Sequence, residues 1–494
     1  MLKRIVNIGI GTVLLLTAAG CAAGTGTETG GVKDEKPVTL KFWLRQDATK
    51  AMEEVFAEAQ KRLNADGLNY KLDFVYVNPA DYPQKLSVAL AAGEEIDMVW
   101  DSPRRGMMER IAAGNYESLE KLLNQHGQNI LNVRPKEMWD ANKFNGNIYG
   151  IPLGNAHFLG RGVYVRKDIR EKLGIAPINT YDDWIKFLYA VKEHEKGTVP
   201  LTPSFGAMHR FLIDENIRAI PFTGNNLVFY FKGNDGKVHN LFEEPDQRII
   251  DAFNEYRKYY LDGIINPDSV SVDGLQLFLA GKSASLTRED FMLVPAHLSE
   301  LQKNVPGADI EYVTFIDSNR PKITDFLQWN FISIPITSKH KEEAVKFLNW
   351  ANVKENYDLL AYGIKGQHWE AVGDDKYTSN GKYGWFPYAW IWNPVQERVL
   401  DNQPENVKKM IYWARDAKNF IPDITTGFTF DTAPVANELA QFNSLTTTYI
   451  RPFDFGAISF EEKFPEFKKK AGPAAKAIQQ EMQRQIDEYL KNKK

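Results

Sequence analysis

From Val38 to Trp100 the apolar positions switch between two periods. Val38, Leu40 and Phe42 alternate, which predicts a strand. Met52, Val55, Phe56, Ala59 and Leu63 then recur at helical spacing and define one buried stripe, closed by Asn64 and Gly67. Leu72, Phe74 and Tyr76 alternate again in a second strand. Asp81 stands where a helix cap would be, with Pro83 in the first turn; Leu86, Ala89 and Leu90 face inward and Gly93 ends the helix. Ile96 to Trp100 completes a third strand. Strand, helix, strand, helix, strand argues for a mostly parallel sheet covered by helices.

Further along, Ile111 to Leu123 reads as a turn at Gly114 and a short amphipathic helix, and Asn145-Gly146 as a hairpin turn leading into a strand through Ile151-Pro152. Thr180 and Asp183 form a carboxylate variant of the capping box, and Trp184, Phe187, Leu188 and Val191 are the inner stripe of the helix they open. A loop carries His209 and Arg210, and a hairpin turns at Gly233 to Gly236. Helices are expected over Gln247 to Leu261, Lys341 to Ala351 and Pro473 to Leu490, and a strand over Gly281 to Thr287. Trp385, Phe386, Tyr388, Trp390 and Trp392 crowd a proline-containing loop between Gly384 and Pro394. Rings in a loop either close over a ligand or pack on the body beneath.

In open α/β sheets, ligands bind beyond the carboxyl ends of the strands. Here those ends carry Trp43 with Arg45, Tyr76 with Asn78, and Trp100 with Asp101, Arg104 and Arg105. Each offers an aromatic ring followed by polar or charged groups. Such rings are equally suited to filling a core.

The first twenty-one residues add a different kind of information. Lys3 and Arg4 precede an uncharged apolar run, Ile5 to Ala19, and small residues lead to Cys21. The run is shorter than the ~20 residues that span a bilayer, and the order is that of a secretory signal. A cysteine at the cut site resembles a bacterial lipobox, with Ala18 where such boxes usually carry Leu; Cys21 is then the lipidated N-terminus. Ala22 to Lys36 is rich in Gly and Thr, lacks an apolar period, and reads as a flexible tether. Cys21 is the only cysteine, so no disulfide forms within the chain. Net charge is −4, which gives no argument for nucleic acid. With 11 Trp, 21 Tyr and 29 Phe, the chain also holds rings enough to stack on sugars.

The lipobox, the tether, the opening βαβαβ, the Gly114 turn and the stretch Asn145-Gly146-Asn147-Ile148-Tyr149-Gly150-Ile151-Pro152 occur here in an order that resembles family 1 extracellular solute-binding proteins. These are the substrate-binding lipoproteins of sugar ABC importers, similar in plan to maltose-binding protein. Tyr362-Gly363-Ile364-Lys365-Gly366-Gln367-His368-Trp369 resembles the LipO-like branch in particular.

The resemblance implies a two-lobed α/β fold of periplasmic-binding-protein type II, each lobe a mostly parallel sheet flanked by helices, joined by a hinge. Lobe one is then residues 37–153 and 325–375, and lobe two 154–324 and 376–494. Ile151 to Val165 becomes the first crossing, which puts Asn155, His157, Arg161 and Tyr164 near the cleft. Phe326 to Ile336 is the crossing back, carrying Gln328, Trp329 and Asn330. Arg288 and Glu289 face the cleft from lobe two, and Trp369 and Trp390 join the candidate ligand groups.

The implied function is non-catalytic: an oligosaccharide held between the lobes and passed to ABC permease subunits by a monomer anchored to the outer face of the cell membrane. No cofactor is called for. The alginate-type relatives have an Asp- and Asn-rich calcium loop after the first crossing; Lys167 to Thr180 has no such cluster, so no calcium is expected there. A secreted glycan hydrolase is the alternative, needing two carboxylates about 5–5.5 or about 6.5–9.5 Å apart, as is a peptide-binding lipoprotein of the same fold. Arginines 45, 104, 105, 161 and 288 raise the further possibility of an acidic sugar.

Overall fold

The computed structural model describes residues 36–144, 146–154, 162–213, 216–220, 227–288, 293–317, 319–383 and 390–493. Cys21, the tether before Lys36, Asn155, His157, Arg161, Glu289 and the loop residues 384–389 lie outside the described residues.

Strands β1 (Val38–Leu44), β2 (Tyr70–Tyr76), β3 (Met98–Asp101) and β4 (Ile151–Leu153) precede β5 (Gly162–Arg166) and β6 (Val199–Leu201). A small antiparallel sheet follows, made of β7 (Ile217–Ala219), β8 (Phe229–Lys232) and β9 (His239–Asn240). Next come β10 (Ser283–Arg288), β11 (Ile310–Thr314), β12 (Lys322–Thr324) and β13 (Asn330–Ser333). The last strands are β14 (Trp369–Val372), β15 (Lys376–Ser379), β16 (Val399–Leu400) and β17 (Phe420–Pro422).

Among the described residues, one main sheet runs β2-β1-β3-β13-β4 and a second runs β11-β5-β10-β6. This gives the two lobes. In the first, β1 pairs parallel with β2 and β3, as alternation predicts, whereas β13 is antiparallel to both β3 and β4. In the second, β10 and β6 are parallel, but β5 runs against β10 and β11. The departure from parallel order has one cause. A strand arriving from the other lobe enters its new sheet at the edge between the lobes. It must therefore run opposite to the strands that end there.

The apolar stripes land where the periodicity puts them. Met52, Val55, Phe56, Ala59 and Leu63 of the helix Lys50–Ala65 are buried against the first sheet. Ala344, Phe347, Leu348 and Ala351 of Lys341–Ala351 join them. The helix Tyr181–His194 opens with the expected capping box: Thr180 Oγ1 accepts from the Asp183 amide at 3.1 Å, and the Thr180 amide donates to Asp183 Oδ2 at 3.2 Å. Its Trp184 and Phe187 fill the second core. At Asp81, however, the side chain caps nothing and pairs with Lys85 instead.

The C-terminal helix is longer than expected, Phe460–Asn492, with Pro465 and Pro473 both inside it. Ser459 caps it, and Phe467, Ala471, Ala474 and Ala475 continue the buried face of Ile478, Met482 and Ile486. Packing of that continuous face outweighs the lost proline hydrogen bonds. No described helix is long and apolar enough to cross a membrane.

The boundary between lobes needs one correction. Tyr383, Trp390 and Ile391 belong to the first core. Val399, Val407 and Met410 lie with Tyr164, Phe278 and Tyr312, which pack on the second sheet. Among the described residues, the third passage between lobes thus falls after Ile391, later than residue 375, because Tyr383, Trp390 and Ile391 pack on lobe one.

Candidate functional site

The edge of the first sheet that faces the crossings is built by the ends of β1, β2, β3 and β4 and the start of β13. Tyr82 ties two of these ends together, its buried hydroxyl lying 3.2 Å from the Trp43 carbonyl and 2.9 Å from that of Trp100. Burial and the nearby Asp101 hold that phenol well above its ordinary pKa.

Asp101 is not available to a ligand, contrary to expectation. Its side chain is 1% exposed and receives two hydrogen bonds from Arg110, at 2.8 Å from Nε and 2.6 Å from Nη2. The Tyr116 hydroxyl and the Ser102 amide also donate to it. Arg110 in turn bonds Ser87 Oγ at 2.7 Å and the Arg105 carbonyl at 2.6 Å. The buried pair is an anchor: it fixes the turn Ser102 to Gly106, on which Arg104 and Arg105 ride. Gly106 is required there, since its φ is +90° and a Cβ would stand 3.1 Å from Arg110 Nη1.

That turn and the strand ends bring several predicted residues together. The Arg104 guanidinium lies 3.9 Å from the centroid of the Trp329 ring, and that of Arg45 lies 5.0 Å from the Trp100 ring. Arg104 is exposed; Arg45, Trp329 and Asn330 are half-buried. Arg45 lies close enough to Arg105 for repulsion, after burial, to lower its pKa. Asn78 is exposed, its Oδ1 accepting from the Ala80 amide at 3.0 Å. Trp43 is buried below them at 9% exposure. Beside Arg105 an open groove of about 450 Å³ is lined by Gln84, Ser87, Glu109, Arg110 and Asn115.

Two predicted ligand rings are structural instead. Trp390 is 1% exposed, edge-on to Phe42 at 5.5 Å and stacked on Phe347 at 5.9 Å, so neither face is open. Trp369 is buried and donates from Nε1 to the Gly363 carbonyl at 2.8 Å. It sits in a tight loop where His368 Nδ1 accepts from the Ile364 amide at 3.0 Å, and where a Cβ on Gly363 would come within 2.6 Å of that nitrogen. Gln328, expected to flank the ligand beside Trp329, turns its amide inward to the Leu327 carbonyl.

On the second sheet, Arg288 ends β10 opposite Gly162, where the first crossing arrives. Around it stand groups that sequence periodicity passed over. Arg210 lies 4.1 Å from the Tyr181 ring, and Tyr181 meets Phe315 edge-on at 5.4 Å. His209 Nε2 lies 3.0 Å from the Gly162 carbonyl. Asp454 accepts from the amides of Gly206 and Met208, and burial pushes its carboxyl up to about 6. Of these, the sequence marks only His209 and Arg210, in the stretch read as a loop.

The passages between the lobes meet at one point. The Gly154 amide, just after β4, donates to the Trp392 carbonyl at 3.2 Å. A Cβ on Gly154, whose φ is +110°, would lie 2.3 Å from the Trp392 ring and 3.1 Å from Gln328 Oε1. First, second and third passages are therefore in contact. Trp392 Nε1 bonds Glu397, which also pairs with Arg415; burial, more than these partners offset, raises the Glu397 pKa. Among the described residues no group of three or more His, Cys, Asp or Glu is placed to hold a metal ion.

Residues 58–366 match the bacterial extracellular solute-binding protein family, and residues 424–491 match a domain of unknown function. The chain is 26% identical to a carbohydrate ABC transporter substrate-binding protein of Streptococcus pneumoniae, over 97% of this chain and 96% of that one. It is 22% identical to lipoprotein LipO of Bacillus subtilis over 63% of each. Among solved structures, the N-glycan transport solute-binding protein of Streptococcus pneumoniae superposes with a TM-score of 0.75, at 22% identity, covering 92% of this chain and all of that one.

Proposed function

The chain belongs to the bacterial extracellular solute-binding proteins, and from that premise we propose that it is the substrate-binding component of a carbohydrate ABC importer, taking an oligosaccharide between its two lobes. The observation that carries the reading is the sheet edge of lobe one. There the half-buried Trp329 lies among Arg104, Arg45 and Asn330, beside the passages that lead to Arg288 in lobe two. Indole faces suit the apolar faces of sugar rings, and guanidinium and amide groups suit hydroxyls. A ligand touching both edges favours the closed arrangement by its differential affinity, and the ABC permease reads that arrangement. Capture and delivery need no catalytic group. Cys21 carries a lipid that holds the protein at the outer face of the membrane, and residues 22–36 give it reach.

The test is thermal unfolding of the purified protein against neutral and acidic oligosaccharides, with recovery of the sugar afterwards. Binding to the native state raises the melting temperature. We expect a rise with an oligosaccharide that is recovered intact, lost in Trp329→Ala while the unliganded melting temperature stays within a few degrees. Sugar recovered cleaved refutes the non-catalytic reading, and a rise with peptides alone refutes the substrate class.

A further inference from the structure

We propose that the ligand carries an anionic group, a carboxylate or a sulfate ester, and that Arg45, Arg104 and Arg105 are the residues that read it. This rests on the oligosaccharide reading above and narrows it.

Among the described residues these three arginines lack acidic partners. Several arginines elsewhere are committed to acids: Arg110 to Asp101, Arg170 to Glu311, Arg218 to Asp423, Arg398 to Asp358. Arg45, Arg104 and Arg105 make no ion pair among the described residues. Asp101, the acid nearest in sequence to Arg104, is consumed by Arg110 and Tyr116. Asp47 and Glu109 stand nearby in the chain and pair with none of the three. Arg45 is half-buried, and its Nε is enclosed without a hydrogen-bond partner among the described residues. Its pKa is lowered first by burial and then by repulsion from Arg105. Like charges are thus held close together, Arg45 half-buried and Arg104 and Arg105 exposed, with no ion pair to an acid among the described residues.

The rings beneath them set their orientation. With Arg104 over Trp329 and Arg45 over Trp100, one face of each guanidinium rests on an indole and its N–H edge is left for a partner. A planar fork of donors matches two oxygens of a carboxylate or sulfate, and such bonds are roughly twice as strong as neutral ones. An anion relieves the repulsion within the cluster; a sugar hydroxyl does not. Arg104 also covers the Trp329 face on which a sugar ring would stack. A neutral sugar must displace that contact, whereas an acidic one engages Arg104 as it arrives. The anchor Asp101–Arg110 holds the turn in place, so the cluster is preformed.

The experiment measures affinity by calorimetry across matched pairs: trigalacturonate and its carboxyl-reduced form, sialyllactose and lactose, and a sulfated chondroitin tetrasaccharide with its desulfated form, alongside a panel of neutral glycans. We expect the acidic member of at least one pair to bind tighter than its neutral partner by about tenfold or more, one charge-assisted bond being enough for that. The advantage should shrink in 0.5 M salt and fall by about tenfold in Arg104→Gln and in Arg105→Gln. Both positions are exposed, and an unchanged unliganded melting temperature checks that each variant folds. Uronate, sialate and sulfate arms identify the source of the charge. Neutral glycans binding as well as or better than acidic ones overturns this proposal and leaves the importer reading standing. Binding of no sugar at all overturns both.

Discussion

Arg110→Met is the most informative single change to the scaffold of the site. The side chains of Arg110 and Asp101 are 7% and 1% exposed, so neither charge has water to fall back on. The substitution removes two bonds to Asp101, one to Ser87 and one to the Arg105 carbonyl. Asp101 keeps only the Ser102 amide and the Tyr116 hydroxyl. Breaking a buried pair from one side costs about 3–5 kcal/mol, because the remaining charge is stranded. A matched apolar pair, Arg110→Met with Asp101→Leu, removes the stranded charge and should recover about 2 kcal/mol or more of that loss. Urea unfolding followed by tryptophan fluorescence reads both, since Trp43 and Trp100 sit on the strands concerned. The single variant should also weaken ligand binding, because the turn bearing Arg104 and Arg105 loses its tie. A loss below about 1 kcal/mol, the value of a surface ion pair, or strictly additive effects in the double variant, would refute the assignment of this pair as a buried anchor.

Gly154→Ala should destabilise the protein by about 2–5 kcal/mol in the same urea assay, combining a left-handed non-glycine residue with overpacking against Trp392; Trp392→Leu in the same chain should return part of it. Asp454 predicts a pH dependence. Its carboxyl rises from an ordinary value near 3.8 to about 6 in the folded protein. Its contribution to stability is therefore fully present below pH 3.8 and is lost as pH rises through about 6, amounting to at most about 3 kcal/mol. Melting temperatures between pH 4 and 7 should show this slope in the wild type and a flatter one in Asp454→Asn.

Local periodicity carried most of the fold. The stripes of Lys50–Ala65, Tyr181–His194 and Lys341–Ala351 were legible because each depends only on spacing within one helix. The same information is blind to pairing at a distance. Asp101 looked like a ligand group because Arg110 and Tyr116 reach it only through the tertiary fold. Trp390 looked like a cleft ring because nothing nearby in sequence announces Phe42 and Phe347 as its neighbours. Pro473 suggested a helix start, and a face buried on both sides of it overrode that signal. The predicted residues that the fold brings to one edge, Arg45, Arg104, Trp329 and Asn330, lie at or just beyond strand ends, where topology alone decides which residues share an edge.

The strand order β2-β1-β3-β13-β4 also has a consequence for how the protein is made. Among the described strands β4 pairs only with β13, and β13 bridges it to β3. A ribosome reaches Leu153 well before Asn330, and at about 5–20 residues per second the wait is roughly 10–40 s. During that interval the nascent chain has a finished helix-and-strand repeat at its start but an unclosed sheet. The closing strand comes late enough that the lobe cannot be completed before it. Biogenesis and architecture are matched: the discontinuity that lets two lobes share a ligand also delays their closure until most of the polypeptide has been synthesised.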